Sequence, residues 1–200
     1  MAPEVVNLTC PGCGAPILND EKICDSCGRP LVIRNVKTLL DLDDMQVKKY
    51  SSTYKQMLSD DPSNSEVWKA IGLTQIKLGL YPAALKSFEK ASEFCFDDGD
   101  IHFYTAIAKL AGKRPAFIKR DDLNGALQEL DVALGIEKKG MYEYLAGVIT
   151  YDYFARKGFN ISPNCVEHFE NAERYGCSES DIVTLNELLK FDTRNLPDVD

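Results

Sequence analysis

The 200-residue chain has little of what marks most functional classes. Basic residues number 23 against 31 acidic ones, a net charge of -8, which is the wrong sign for a life on phosphate backbones or anionic membranes. No apolar run approaches the roughly 18 residues that suggest a spanning helix. The opening MAPEVVNLTC lacks a basic stretch followed by an apolar core, so no secretory signal is expected. The expected compartment is then the reducing cytoplasm, where cysteine clusters are more often metal sites than disulfides. Seven cysteines, an odd number, also argue against a complete disulfide framework. There is no phosphate-binding glycine loop, no nucleophile motif and no second metal cluster. Histidines number only two. These absences point away from an enzyme.

What is present begins with four cysteines inside "TCPGCGAPILNDEKICDSCGRP", Thr9 to Pro30. Cys10 and Cys13 form one C-x2-C pair, Cys24 and Cys27 another, with ten residues between the pairs. Each pair can make a tight knuckle whose two thiolates face one centre. Gly14 and Gly28 follow the pairs, where positive φ would turn backbone amides toward the sulfurs. Four thiolates in a tetrahedron favour one structural Zn2+, with no open position for catalysis. The stretch resembles a zinc ribbon of the CPxCG-x9-CxxCG kind, although Asp25 stands where proline is common. Within residues 1–35, Lys22, Arg29 and Arg34 face four acidic residues, so nucleic-acid binding by the ribbon is not favoured.

Past Arg34 the composition turns helical. In "VWKAIGLTQIKLGLYPAALKSFEKASEF", Trp68, Ile71 and Gly72 open one helix, and Gly79 and Tyr81 mark a turn. Pro82 suits the first position of the next helix, which carries Ala84, Phe88 and Ala91 on one face. This resembles a tetratricopeptide repeat, with Gln75 and Phe96 departing from the pattern. Ala106, Ala126, Leu130 and Ala133 make a weaker second copy, and Gly147, Cys165, Phe169 and Ala172 a third. Measured against the first copy, the second carries eight extra residues and the third six, both between the two helices of the repeat. Both insertions should emerge on one edge. Caps are expected at Ser63, Ser162 and Ser178. A leading helix is expected at 42–58 and a closing helix at 180–190.

The expected architecture is mainly α: a TPR-like helical-repeat solenoid with a small N-terminal β zinc ribbon. The ribbon spans 1–34, a linker and capping helix 35–64, three repeats plus a closing helix 65–191, and a frayed tail 192–200. The resemblance implies a concave groove lined by Lys69, Leu73, Ile76, Phe103, Ile107, Leu110, Tyr144, Val148 and Tyr151. That lining is mostly apolar and suits a peptide or helix of a partner protein, or the chain's own closing helix or ribbon. The clamp that some members of the family place on a partner's C-terminal carboxylates is not expected. Only Lys69 fits it, and Leu73, Tyr104, Met141 and Leu145 replace its other residues. A second contact is offered by the dense basic run, with Lys113, Arg114, Lys119 and Arg120 around Phe117. Its bland reading is a solvated loop anchored to the repeats by that phenylalanine. His102 replaces Trp68 in register, so a packing role is expected for it. The functional expectation is a non-enzymatic interaction scaffold or adaptor. The rival is a nucleic-acid- or ribosome-associated factor that reads through the ribbon.

Overall fold

A computed structural model of the chain describes residues 8–18, 21–34 and 36–193. It is mainly α, with nine α-helices and a two-stranded ribbon among the described residues. The chain divides into two compact units, Met1–Cys95 and Phe96–Asp200.

In the first unit, β1 (Leu8–Thr9) pairs antiparallel with β2 (Pro16–Ile17), and Ile23 bridges Pro30. Helices α1 (Val36–Leu40), α2 (Asp44–Asp60), α3 (Ser65–Lys77) and α4 (Tyr81–Phe94) follow. On α2, Val47, Tyr50, Tyr54 and Met57 recur at helical spacing and are all buried. The two tyrosines of this stripe meet the ribbon, and α2 also packs on α3. The Tyr50 hydroxyl donates to the Pro30 carbonyl at 3.0 Å, and the Ile33 amide donates to the Tyr54 hydroxyl at 2.9 Å. Burial raises the Tyr54 hydroxyl well above its ordinary pKa, so it serves as a neutral acceptor. Lys77 donates to the carbonyls of Leu39 and Leu40, each at 2.7 Å, and to that of Leu42. A cation there satisfies the open C-terminal end of the short α1.

Helices α3 and α4 form the first hairpin. A Cβ on Gly72 would lie 2.4 Å from the Phe88 ring, so only glycine lets these helices approach so closely. In the second unit, α5 (Gly99–Leu110) pairs with α6 (Arg120–Ile136), and α7 (Gly140–Ile149) pairs with α8 (Cys165–Arg174). Gly147 meets Phe169 as Gly72 meets Phe88, with a Cβ 2.7 Å from the ring. Ala106 and Leu130, both fully buried, hold the equivalent positions in the middle hairpin. The period seen in the sequence is therefore a period of packing. Helix α9 (Glu179–Leu189) lies against α5 and α7.

Several local expectations shift. The cap of α3 is Asn64, whose side chain accepts from the Val67 amide at 3.1 Å; Ser63 turns instead to Asp61. The cap of α8 is Asn164 with Glu167 closing a capping box, not Ser162. Asn serves as an N-cap as well as Ser does, and each of these Asn residues sits closer to its helix. Ser178 with Asp181 does cap α9. Pro82 is the second residue of α4, after Tyr81. The third-repeat insertion does not leave as a simple loop: α7 continues through a π-helical turn at Thr150–Phe154 and a 3-10 turn at Ala155–Lys157. Of the tail expected to fray from 192, Thr193 is buried and accepts a place beside α9, its amide donating to Asn186 at 3.2 Å. Asp192 is exposed, and residues 194–200 lie outside the described residues.

Candidate metal centre and interaction surfaces

The four ribbon cysteines converge. Their Sγ atoms all lie within 4.8 Å of one another. Cys10 and Cys27 are 3.7 Å apart, as are Cys13 and Cys24. A tetrahedral metal with thiolate bonds of about 2.3 Å requires sulfurs about 3.8 Å apart, so the donor set fits one ion. Both knuckles have the same build. The amides of Gly14 and Gly28 donate back to the Cys10 and Cys24 carbonyls at 2.8 and 2.7 Å, with φ of +77° and +69°. The Gly12 amide points to the Cys10 sulfur at 3.3 Å. Burial pushes the Cys10 thiol up to about 12. At Cys24 burial acts the same way but is outweighed by the Cys27 and Ser26 amides and the Cys10 and Cys13 thiols, giving about 7. Cys10 and Cys24 are buried while Cys13 and Cys27 are exposed. The centre therefore lies at the ribbon surface, and its inner side is continuous with α2 through the bond from the Thr53 hydroxyl to the Thr9 carbonyl.

The nine groove residues are placed unequally. Leu73, Ile76, Phe103, Ile107, Leu110 and Val148 are buried core. Lys69, Tyr144 and Tyr151 are half-exposed. Tyr144 is engaged on two sides, by the Phe169 ring at 5.5 Å and by the Thr193 hydroxyl at 2.9 Å. In the second unit, then, the chain's own closing segment covers the helix face that Tyr144 belongs to.

The basic run has a more definite structure than a solvated loop. Pro115–Phe117 is a 3-10 turn, and it touches the π-helical turn of the third repeat. The fastener is Asp152, a buried carboxylate. It accepts from the Ala116 amide at 3.0 Å and from the Arg156 guanidinium at 2.9 Å, and it pairs with Arg114. Burial alone would raise its pKa; the amide and the two guanidiniums prevail and hold it below the usual carboxylate value. Phe117 is not the anchor. It is 78% exposed, whereas Pro115 is buried. Lys113, Lys119 and Arg120 are exposed around it. The second insertion adds Lys157, over the Tyr153 ring at 3.6 Å, and Phe159, under Arg120 at 5.9 Å.

Both histidines are internal. His102 binds Glu129 at 2.9 Å and the Phe96 carbonyl at 3.1 Å, which is the packing role expected of it. His168 meets Glu143 at 2.6 Å, and both are buried between α7 and α8. Sequence spacing offers no partner for His168 because Glu143 lies 25 residues away. Asp152, Arg156, Lys157 and Phe159 were likewise not singled out by sequence; the only hint was that both insertions fall at the same point of the repeat.

No known family profile matches the chain, and no curated protein matches it. Among solved structures, a MamA MSR-1 chain aligns at 20% identity over 70% of this chain and 76% of its own, with a TM-score of 0.48. A MamA AMB-1 chain aligns at 18% identity over 72% and 82%, also at 0.48. A likeness of this degree says nothing about function. No helix among the described residues is long and apolar enough to cross a membrane.

Proposed function

We propose that the chain is a non-enzymatic, cytoplasmic protein-interaction scaffold, steadied at its N-terminus by one structural zinc ion. The repetition of the hairpins carries the reading: Gly72 with Phe88, Ala106 with Leu130 and Gly147 with Phe169 hold equivalent places. Helical repeats of this kind use their cores for mutual packing and offer extended surface for partners. Cys10, Cys13, Cys24 and Cys27 would hold the ion, whose binding supplies about 10–16 kcal/mol in comparable peptides. A closed shell of four thiolates leaves no place for substrate. The ribbon's balance of charge supplies no cationic patch for nucleic acid.

A partner segment on the repeat face would meet Lys69 in the first unit, and Tyr144 and Tyr151 in the second, the members of that lining that reach solvent. A photocrosslinking amino acid placed singly at positions 69, 151 and 117, in the full chain and its native host, tests the scaffold reading. Discrete protein adducts at one or more positions are expected. Adducts to RNA alone, or none at any position, would refute it. Zinc is tested by metal analysis of the purified chain, with one equivalent expected and none in a chain lacking the four thiols.

A further inference from the structure

We infer that the edge built by the two insertions of the second unit docks an acidic segment of a protein partner, with an apolar side chain of that segment resting on Phe117. The inference depends on the scaffold reading and gives the partner a chemistry. Its first support is charge. In a chain of net charge -8, this edge gathers Lys113, Arg114, Lys119, Arg120, Arg156 and Lys157. Arg114 and Arg156 give some of their donors to Asp152 and keep side chains 44% and 50% exposed. A guanidinium has five N–H donors, so each retains donors for a carboxylate outside. The acids in the same segments are Asp121 and Asp122, exposed at the start of α6, and Asp152, which is buried.

The second support is the preparation of Phe117. Its amide donates to the Arg114 carbonyl at 3.0 Å, and the Ile118 amide donates to that of Pro115 at 3.1 Å. With the Ala116 amide on Asp152, the turn is fixed on both flanks. The backbone that presents this large aromatic side chain has already lost the freedom that ordering the turn on binding would cost. Lys113, Arg114, Lys119 and Arg120, all exposed, flank it within four positions of the chain.

The arrangement suits carboxylates better than the other polyanions. Bases of a single strand need open aromatic faces to stack on. Here Lys157 lies over Tyr153 and Arg120 over one face of Phe159, which leaves Phe117 as the fully open ring of the three, and a run of successive bases needs more than one such platform. A bilayer would gain the apolar area of Phe117 and the half-exposed Phe159, too little to hold a folded protein there.

The test uses the full-length, zinc-loaded chain and fluorescence anisotropy. The probe is a short labelled peptide of alternating Glu and Leu. Comparison probes are a Lys–Leu peptide, labelled oligouridine and phosphatidylserine vesicles. The Glu–Leu peptide should bind at low salt and the Lys–Leu peptide should not. Lys113→Glu with Lys119→Glu should weaken binding by about tenfold or more. Phe117→Ser should weaken it several-fold with helical circular dichroism unchanged, because the ring makes no part of the core. Absence of binding at low salt would overturn the inference, as would equal binding by both variants. So would tighter binding of oligouridine or vesicles through the same residues. Protein crosslinks at positions 69 or 151 without peptide binding would leave the scaffold reading standing and remove only the acidic partner.

Discussion

Replacing Gly72 with Ala sets two known effects against each other. Alanine is the better helix former by about 1 kcal/mol. Against this, the new Cβ would lie 2.4, 2.6 and 2.7 Å from three carbons of the Phe88 ring. Carbon atoms pack at about 3.5–4.0 Å, so the ring would have to retreat by about 1 Å. Phe88 is fully buried, so its ring can retreat only by displacing its neighbours in the core. Overpacking of this kind costs about 1–3 kcal/mol, and three short contacts place it in the upper part of that range. The net expectation for Gly72→Ala is a loss of about 1–2 kcal/mol, or a fall of roughly 0.5–1 M in the urea midpoint. The chain's one tryptophan, Trp68, lies on α3, so its fluorescence reports the first unit. The middle hairpin supplies the remedy, since Ala106 and Leu130 stand where Gly72 and Phe88 do. Gly72→Ala combined with Phe88→Leu should therefore be more stable than the two single changes added together, by about 1 kcal/mol or more. A stabilised single Gly72→Ala variant, or strict additivity in the cycle, would refute the reasoning.

Cys13→Ser should abolish tight metal binding and open the ribbon, while far-ultraviolet circular dichroism keeps most of its helical signal. Collapse of that signal along with the metal would mean that α2 cannot stand without the ribbon against it. Asp152→Asn should cost about 1–3 kcal/mol near neutral pH, since a buried acceptor for two guanidiniums loses its charge. Because the folded pKa of Asp152 is depressed, its contribution is complete above the ordinary value of about 3.9 and is lost as pH falls through the folded one. The gap between wild type and variant in urea titrations should thus close below about pH 4 and stay constant above about pH 5. Glu143→Gln should destabilise the second unit by about 1–2 kcal/mol, read by urea unfolding, because His168 then faces a weaker acceptor in a buried site.

Particular residues show how far the sequence can be read. The knuckles are local: Cys10 and Cys13, and Cys24 and Cys27, are joined by two-residue spans that leave little freedom, so spacing alone implies the four-thiol cluster. The hairpins are nearly as legible, because Gly72 and Phe88 must be small and large together for two helices to touch. The fate of the groove was not legible. Leu73, Phe103 and Val148 look the same in sequence whether they line a cleft or fill a core. The same holds for Phe117, which sequence offered as an anchor and the fold turns outward. What holds that turn is Asp152, 36 residues from Ala116.

The sequence by itself determined the repeat helices, their period and the thiol cluster, since each depends on contacts within one knuckle pair or one repeat. Only tertiary structure decided which surfaces remain free. Closing segment α9 against α5 and α7, Thr193 on Tyr144, and Asp152 joining the two insertions all depend on pairings between distant residues. Composition and local spacing carry no record of such pairings, because burial is set by whichever neighbour arrives.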